Sequence, residues 1–196
     1  MKNFEKVLDW KRALLVKGAT VFSYTLLLAL LSQIRIPLPF TPIPLTLQTF
    51  GVLLIGYYLG AKAGFFSILL YLLLGAAGLP FFSGVKGGFL VLSGPTGGYL
   101  LGFLAAVYLI GKAKETGLLQ RPIYALLLGL MAHLLIYFFG VIWFVSGYYK
   151  FFTTSYTLRE ILTLTVFPFL PWDFIKSLLF AGFIISEKRW KEVFKK

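Results

Sequence analysis

The sequence predicts an all-α integral membrane protein with six transmembrane helices, and three observations support this fold class. Its 196 residues are 59% hydrophobic and only 13% charged, which leaves too little polar surface to cover a water-soluble globule. Apolar runs recur along the chain at lengths that suit membrane-crossing helices. Lysine and arginine gather at the ends of these runs, so the net charge of +12 indicates membrane topology and no nucleic-acid partner.

Six apolar segments account for the helices, and together they form a single membrane domain, residues 1–196. The first segment ends at a proline-rich stretch, residues 36–44. The second and third are short, and a turn at residues 60–63 separates them. The predicted spans cover residues 14–34, 47–59, 64–78, 96–111, 123–146 and 172–186.

The distribution of basic residues predicts the orientation of the chain. Of the 19 lysines and arginines, 14 lie in the terminal segments and in the connections on one side of the predicted membrane. Because cytoplasmic loops are enriched in lysine and arginine, both termini are predicted to be cytoplasmic.

The connections on the opposite side differ from the short internal loops. Segments 36–44, 79–88 and 93–98 are rich in proline or glycine, and segment 147–171 mixes tyrosine, threonine and phenylalanine. Irregular backbone at membrane depth is tolerated only where protein or a watery cavity shields it. These loops therefore predict a pocket with a lid, or alternatively simple interfacial connections.

Two polar features lie inside the predicted spans. Asp173 and Lys176 share one face of the sixth helix, and ionisable residues inside a span usually face a cavity. Alternatively, they form an ion pair that only satisfies itself at the interface. Gln48 begins the second helix, where its amide is available to a ligand or to a neighbouring helix.

Three more places in the sequence carry residues suited to binding a ligand or a neighbouring helix. Thr96 is predicted to cap the fourth helix, and the adjacent Tyr99 offers a hydroxyl and a ring, although the glycines between them also suit plain helix packing. His133, the only histidine, is predicted to hydrogen-bond to a nearby backbone group or hydroxyl. Ala19 and Ser23 form a small-xxx-small step on the first helix, for packing within this chain or against a partner.

The residues that are absent exclude several classes of function. Without cysteine there are no disulfides, iron–sulfur clusters or thiol nucleophiles, and one histidine leaves no metal site predicted. No P-loop occurs, so the chain does not bind ATP through that motif. With no base and nucleophile clearly paired, the sequence predicts a binding subunit of a larger complex and not an enzyme.

Five motifs, in order, resemble those of the BioY family, the biotin-specific substrate-capture (S) components of energy-coupling-factor (ECF) transporters. The resemblance extends over roughly residues 15–186. The motifs are Ile34-Arg-Ile-Pro-Leu-Pro39, Pro44-Leu-Thr-Leu-Gln-Thr-Phe-Gly51, Tyr71-Leu-Leu-Leu-Gly-Ala-Ala-Gly-Leu-Pro-Phe-Phe82, Gly94-Pro-Thr-Gly-Gly-Tyr-Leu-Leu-Gly-Phe103 and Pro168-Phe-Leu-Pro-Trp-Asp-Phe-Ile-Lys176.

This resemblance implies biotin binding near the outer surface of the plasma membrane and assembly with a transmembrane coupling protein and two ATPase subunits. ATP would be bound by those partners, and this chain would need no cofactor. In the family, the aspartate and lysine of the last helix belong to the substrate site, and small residues on the first helix contact the coupling protein. Ala19 and Ser23 occupy the latter positions, whereas Arg35 and Lys86 depart from the family pattern.

The chemistry of biotin suggests roles for the candidates. Lys176 is predicted to pair with the carboxylate and Asp173 to accept a ureido N–H, although these roles are exchangeable. The alternatives are the same architecture for another vitamin, or an intramembrane lipid-modifying enzyme. The predicted substrate-binding set is Asp173, Lys176, Gln48, Tyr99, Thr96, Ser83, Phe82 and Trp172.

Overall fold

In the computed structural model, which describes residues 2–148 and 157–194, the chain folds into α-helices joined by irregular loops. Part of the predicted outer segment 147–171 therefore lies outside the described residues. Two short antiparallel strands pair between the first two helices, β1 (Arg35–Ile36) and β2 (Leu45–Thr46). The helices are α1 (Lys2–Gln33), α2 (Gln48–Ala76), α3 (Phe89–Leu92), α4 (Gly97–Glu115), α5 (Pro122–Trp143), α6 (Leu158–Thr165) and α7 (Leu170–Val193).

Helix α2 folds back on itself at Gly60. This residue has φ 76° and ψ −178°, a backbone conformation that favours glycine because it has no Cβ. Gln48 donates a hydrogen bond to the Tyr71 hydroxyl at 2.7 Å, although 23 residues separate them, or about 34 Å in a straight helix. The element is therefore a hairpin of two arms, residues 48–59 and 61–76, and its bend falls inside the turn predicted at residues 60–63.

Glu115, in the last turn of α4, closes the bend of this hairpin. Its carboxylate accepts the Ala61 backbone N–H at 2.9 Å and the Lys112 ammonium at 3.0 Å. The hydrogen bond from Ala61 and then the one from Lys112 lower the pKa of Glu115. We call this end of the bundle the turn end. The opposite end, formed by residues 34–47 and 77–96, is the loop end.

The helices pack around α2 and α4. Helix α2 contacts α1, α4 and α7, and α5 lies between α4 and α7. Polar contacts join some of these helices, since Thr25 of α1 donates to the Ser67 carbonyl of α2 at 2.9 Å. Such hydrogen bonds are favourable between helices in lipid, where no water competes for the groups.

The outer surface of the bundle is apolar, as a lipid environment requires. Leu15, Phe66 and Phe138 are among many large apolar side chains that are more than half exposed. By length and composition alone, three helical stretches within the described ranges could cross a membrane, and α6 with α7, bent by 44°, would give a fourth. One of the three is the whole α2 hairpin, whose separate arms are shorter. The chain is a membrane protein; the six crossings and the orientation of the termini stay predictions.

The helices extend past the predicted spans. Helix α1 begins at Lys2 and not near residue 14, and α7 continues to Val193 and not to residue 186. Hydropathy marks only the apolar part of a helix, whereas lysine, glutamate and arginine continue the helical backbone readily in water.

The close packing at the turn end predicts that one added methyl group, at Gly111, lowers the stability of the protein. A Cβ on Gly111 would collide with the backbone of Ala61 and Gly60, which cannot move without opening the hairpin. We expect Gly111→Ala to lower the free energy of unfolding by about 1–3 kcal/mol, measured by denaturation in detergent. Gly18→Ala is the control, because nothing lies within 4 Å of a Cβ there and alanine favours a helix. Equal effects of the two substitutions would contradict this close approach.

Candidate functional site

A cavity of about 370 Å³ opens at the loop end of the bundle. This volume is typical of small-molecule sites, which span about 300–1,000 Å³. Helices α2, α4, α5 and α7 contribute its wall, and the loops that follow α1 and α2 cover it. Most of the lining is apolar, with Leu45, Phe103, Ile136 and Phe169 among the contributing side chains.

A buried ion pair lies at the inner end of this cavity. The Lys176 ammonium is 2.7 Å from Asp173 Oδ1, and both side chains are at most one-tenth exposed. Both residues lie in the first turns of α7, three positions apart, which places them on the same helix face. The pair was expected from the sequence because charged residues rarely occur within an apolar helix unless they are paired or functional.

Hydroxyl groups from two other helices complete this pair. Thr49, in the first turn of α2, accepts a hydrogen bond from Lys176 at 3.0 Å and donates one to Asp173 at 3.3 Å. Tyr137 of α5 donates to the other oxygen of Asp173. The four residues form one network that ties α2, α5 and α7 together, with Asp173 as its common acceptor.

His133 lies behind Asp173 in the same network. Its Nδ1 is 2.8 Å from the Gly129 carbonyl and 3.2 Å from the Ser177 hydroxyl, as the sequence interpretation anticipated. Its Nε2 faces Asp173 Oδ1 at 3.5 Å and makes no hydrogen bond among the described residues. The carbonyl of Gly129 fixes the proton on Nδ1, because a carbonyl oxygen only accepts.

Gln48 forms hydrogen bonds within the bundle and also lines the cavity, so its role in ligand binding stays a prediction. It lines the cavity, and its amide nitrogen donates to Tyr71 while its oxygen accepts from Thr46 at 3.1 Å. These two bonds fix the orientation of the amide. One N–H and one oxygen lone pair remain for another partner.

Tyr99 and Thr96 enter the cavity from the beginning of α4. The Tyr99 hydroxyl donates to the Thr165 carbonyl at 2.7 Å, which joins α4 to α6. Thr96 occupies the residue before α4, but its side chain makes no capping hydrogen bond, so the predicted cap was wrong. Its backbone is already near-helical, with φ −92° and ψ −7°, whereas a capping side chain needs an extended backbone.

The loop after α2 covers one side of the cavity. Phe82 is 1% exposed and packs edge-on against Tyr71, with 5.5 Å between ring centroids. Gln33, at the end of α1, accepts the Val85 N–H at 2.8 Å and donates to the Phe82 carbonyl at 3.3 Å. Ser83 also lines the cavity, and its buried hydroxyl has no hydrogen-bond partner within the part of the chain that is described.

Two cations lie at the mouth. Arg35 comes from β1 and Lys86 from the loop after α2; both are exposed and both line the cavity. The Arg35 guanidinium packs against the backbone of Gly84, so the two loops touch. Among the residues whose side chains are described, 10–146 and 157–194, no acidic group forms an ion pair with either cation.

The structure brings most of the predicted substrate-binding residues together. Trp172 does not line the cavity: it is 47% exposed on the outward face of α7, because consecutive helical residues point about 100° apart. Ala19 and Ser23 lie on an exposed stretch of α1, with the Ser23 hydroxyl donating to the Ala19 carbonyl at 2.9 Å. The residues that do line the cavity are Asp173, Lys176, Gln48, Tyr99, Thr96, Ser83 and Phe82.

The sequence analysis missed several polar residues of the site. Thr49 and Tyr137 contact the ion pair, and Thr41 lines the cavity while its hydroxyl donates to the Leu164 carbonyl at 2.7 Å. Tyr137 lies four residues after His133, so the shared helix face was a usable signal. The described residues contain no group of three histidine, cysteine, aspartate or glutamate side chains that could hold a metal ion.

Comparison with known proteins gives a consistent result. The family model described as "BioY family" matches residues 5–193. The chain is 39% identical to "Biotin transporter BioY" of Thermotoga maritima over 79% of this chain and 86% of that protein. It is 38% identical to "Biotin transporter BioY2" of Lactococcus lactis over 86% of this chain and 91% of that protein.

A solved structure is similar as well. The crystal structure of the S-component for biotin from an ECF-type ABC transporter superposes with a TM-score of 0.75 at 27% identity. The match covers 91% of this chain and 93% of the crystallised chain.

The network around Asp173 predicts how the ligand-free protein responds to loss of Lys176. Lys176→Met leaves a buried carboxylate without its counter-charge, so we expect the free energy of unfolding to fall by about 3 kcal/mol. The double variant Asp173→Asn/Lys176→Met removes both charges and should recover much of that loss. Unfolding in detergent without ligand is the measurement. A double variant no more stable than the single one would contradict this account of the pair.

Proposed function

The chain belongs to the BioY family, and we propose that it captures biotin as the substrate-binding component of an ECF-type transporter. It is a transporter subunit and not an enzyme. The observation that carries the proposal is the buried Asp173–Lys176 pair inside an apolar cavity, in a chain whose relatives are biotin transporters.

The ion pair matches the ureido ring of biotin. That ring is uncharged, with two N–H donors and one carbonyl acceptor. Asp173 accepts from a ureido N–H, and Lys176 donates to the ureido carbonyl, because each still has hydrogen-bonding capacity beyond the network. A neutral ligand group keeps the buried pair electrically balanced, whereas a carboxylate at the same depth would leave an uncompensated negative charge.

The carboxylate of biotin is assigned to the mouth of the cavity. Arg35 and Lys86 lie there without acidic partners among the described residues, and their exposure keeps the cost of desolvation low. The sequence analysis had paired Lys176 with the carboxylate, and here Lys176 binds the ureido carbonyl instead. The reason is that a carboxylate at the inner end would leave a negative charge there without a counter-charge. Phe103, Ile136 and Phe169 supply apolar surface for the thiophane ring and the alkyl chain.

Transport itself requires partner subunits. We assign ATP hydrolysis to two ATPase subunits and their coupling to a transmembrane protein that contacts the exposed face of α1 around Ala19 and Ser23. The plasma membrane is the proposed location. The basic terminal segments support cytoplasmic termini, which would direct the loop end and its cavity outward.

The first test compares two substitutions on neighbouring turns of α7. Lys176→Ala should weaken biotin binding by at least tenfold, or about 1.4 kcal/mol, in a titration of detergent-solubilised protein without ATP. Trp172→Ala should leave the affinity unchanged, because Trp172 lies outside the cavity. Failure of the unmodified protein to bind biotin, while the same titration detects binding of another vitamin, would overturn the proposed ligand.

The second test separates the two assignments of the carboxylate. Biotin methyl ester lacks the negative charge, so the unmodified protein should bind biotin about tenfold or more tightly than the ester. Arg35→Gln/Lys86→Gln should abolish this preference by weakening only biotin. Lys176→Met should weaken both ligands alike. If Lys176→Met removes the preference instead, the carboxylate is bound at the inner end.

A further inference from the structure

A second cavity, of about 460 Å³, lies at the turn end of the bundle. It is bounded by Tyr57 of α2, by Lys114 at the end of α4, by the α4–α5 connection and by the last turns of α7. The biotin cavity occupies the opposite ends of these helices. The turn-end cavity therefore has no part in substrate capture as proposed above.

Three ammonium groups line this cavity. Lys114 donates one hydrogen bond to the Tyr58 carbonyl at 2.7 Å, and Lys191 pairs with Glu187, while Lys188 makes no ion pair within the described ranges. An ammonium group has three N–H bonds, so Lys114 and Lys191 retain donors for another partner. The Tyr57 hydroxyl lies on the same lining.

The lining of the cavity carries more positive than negative charge. It contains three lysines and one carboxylate, Glu192, and Glu187, which lies outside the lining, pairs with Lys191. This surplus of positive charge favours an anionic ligand, and a phosphodiester is such a group.

The rest of the lining indicates an amphiphilic ligand. Leu119 and Ile184 are buried apolar residues beside the lysines. Trp190 and Phe194 stack on the exposed side of α7 with 5.3 Å between ring centroids, and exposed aromatic pairs of this kind mark the membrane–water interface. We therefore expect the cavity to lie at the depth of lipid headgroups, where basic pockets between helices bind anionic lipids.

We propose that the turn-end cavity binds the phosphodiester headgroup of an anionic phospholipid, with Lys114, Lys188 and Lys191 as its cationic ligands. The acyl chains extend along the apolar surface of the bundle. The lipid joins the ends of α4 and α7 to the α2 hairpin, which stabilises the turn end.

The test measures lipid binding to the purified full chain by native mass spectrometry. Phosphatidylglycerol should bind at least about tenfold more tightly than phosphatidylcholine, because only the former is anionic. Lys114→Gln/Lys188→Gln/Lys191→Gln should reduce that preference below threefold. The control is Lys11→Gln/Arg12→Gln/Lys17→Gln, which removes the same charge from α1 and should keep the preference. Lys188→Gln alone removes no hydrogen bond or ion pair seen among the described residues and should give an intermediate preference.

Three outcomes would overturn the proposal. The first is equal binding of the two lipids, and the second is equal loss of preference in the cavity variant and the α1 control. The third is competition by inorganic phosphate as effective as by the lipid, which would indicate a site for small anions. A biotin titration on the same samples keeps this test separate from the proposed function, since lipid selectivity does not require biotin binding.

Discussion

The ion pair between Asp173 and Lys176 is the interaction on which the rest of the loop end depends. Two charges removed from water are stable only if their remaining hydrogen-bonding groups are also satisfied. In this protein Thr49 of α2 and Tyr137 of α5 make hydrogen bonds to the pair, so three helices meet at one point. The hydrogen bonds hold the ends of α2, α5 and α7 together, but the side chains do not fill the space between these ends. That space is the cavity.

Much of this arrangement could be predicted from the sequence, and the residues that were predicted correctly share one physical basis. A charged residue in an apolar helix lowers stability unless it is paired or functional. A glycine in a helix also lowers stability unless the backbone needs its conformational freedom. Asp173, Lys176 and Gly60 were therefore identifiable by themselves. The hydroxyl partners were not, because a lone threonine or tyrosine is common in membrane helices and becomes significant only when another helix approaches it.

The features that the sequence did not reveal depended on side-chain direction and backbone geometry. Trp172 is adjacent to Asp173 in sequence, yet the helix turns it toward the surroundings of the protein. Thr96 has the residue type of a helix cap without the extended backbone that a cap requires. The cations at the mouth come from two different loops, and only the folded chain reveals that both line the same opening.

The bend at Gly60 also bears on how the chain enters the bilayer. The arms of the α2 hairpin contain 12 and 16 residues, or about 18 and 24 Å of helix, against a hydrocarbon core of about 30 Å. Neither arm is long enough to insert independently, so the two must partition into the lipid as one unit. Arms shorter than the hydrocarbon core create a hydrophobic mismatch, which a membrane relieves by thinning around the protein or by snorkelling of the flanking side chains.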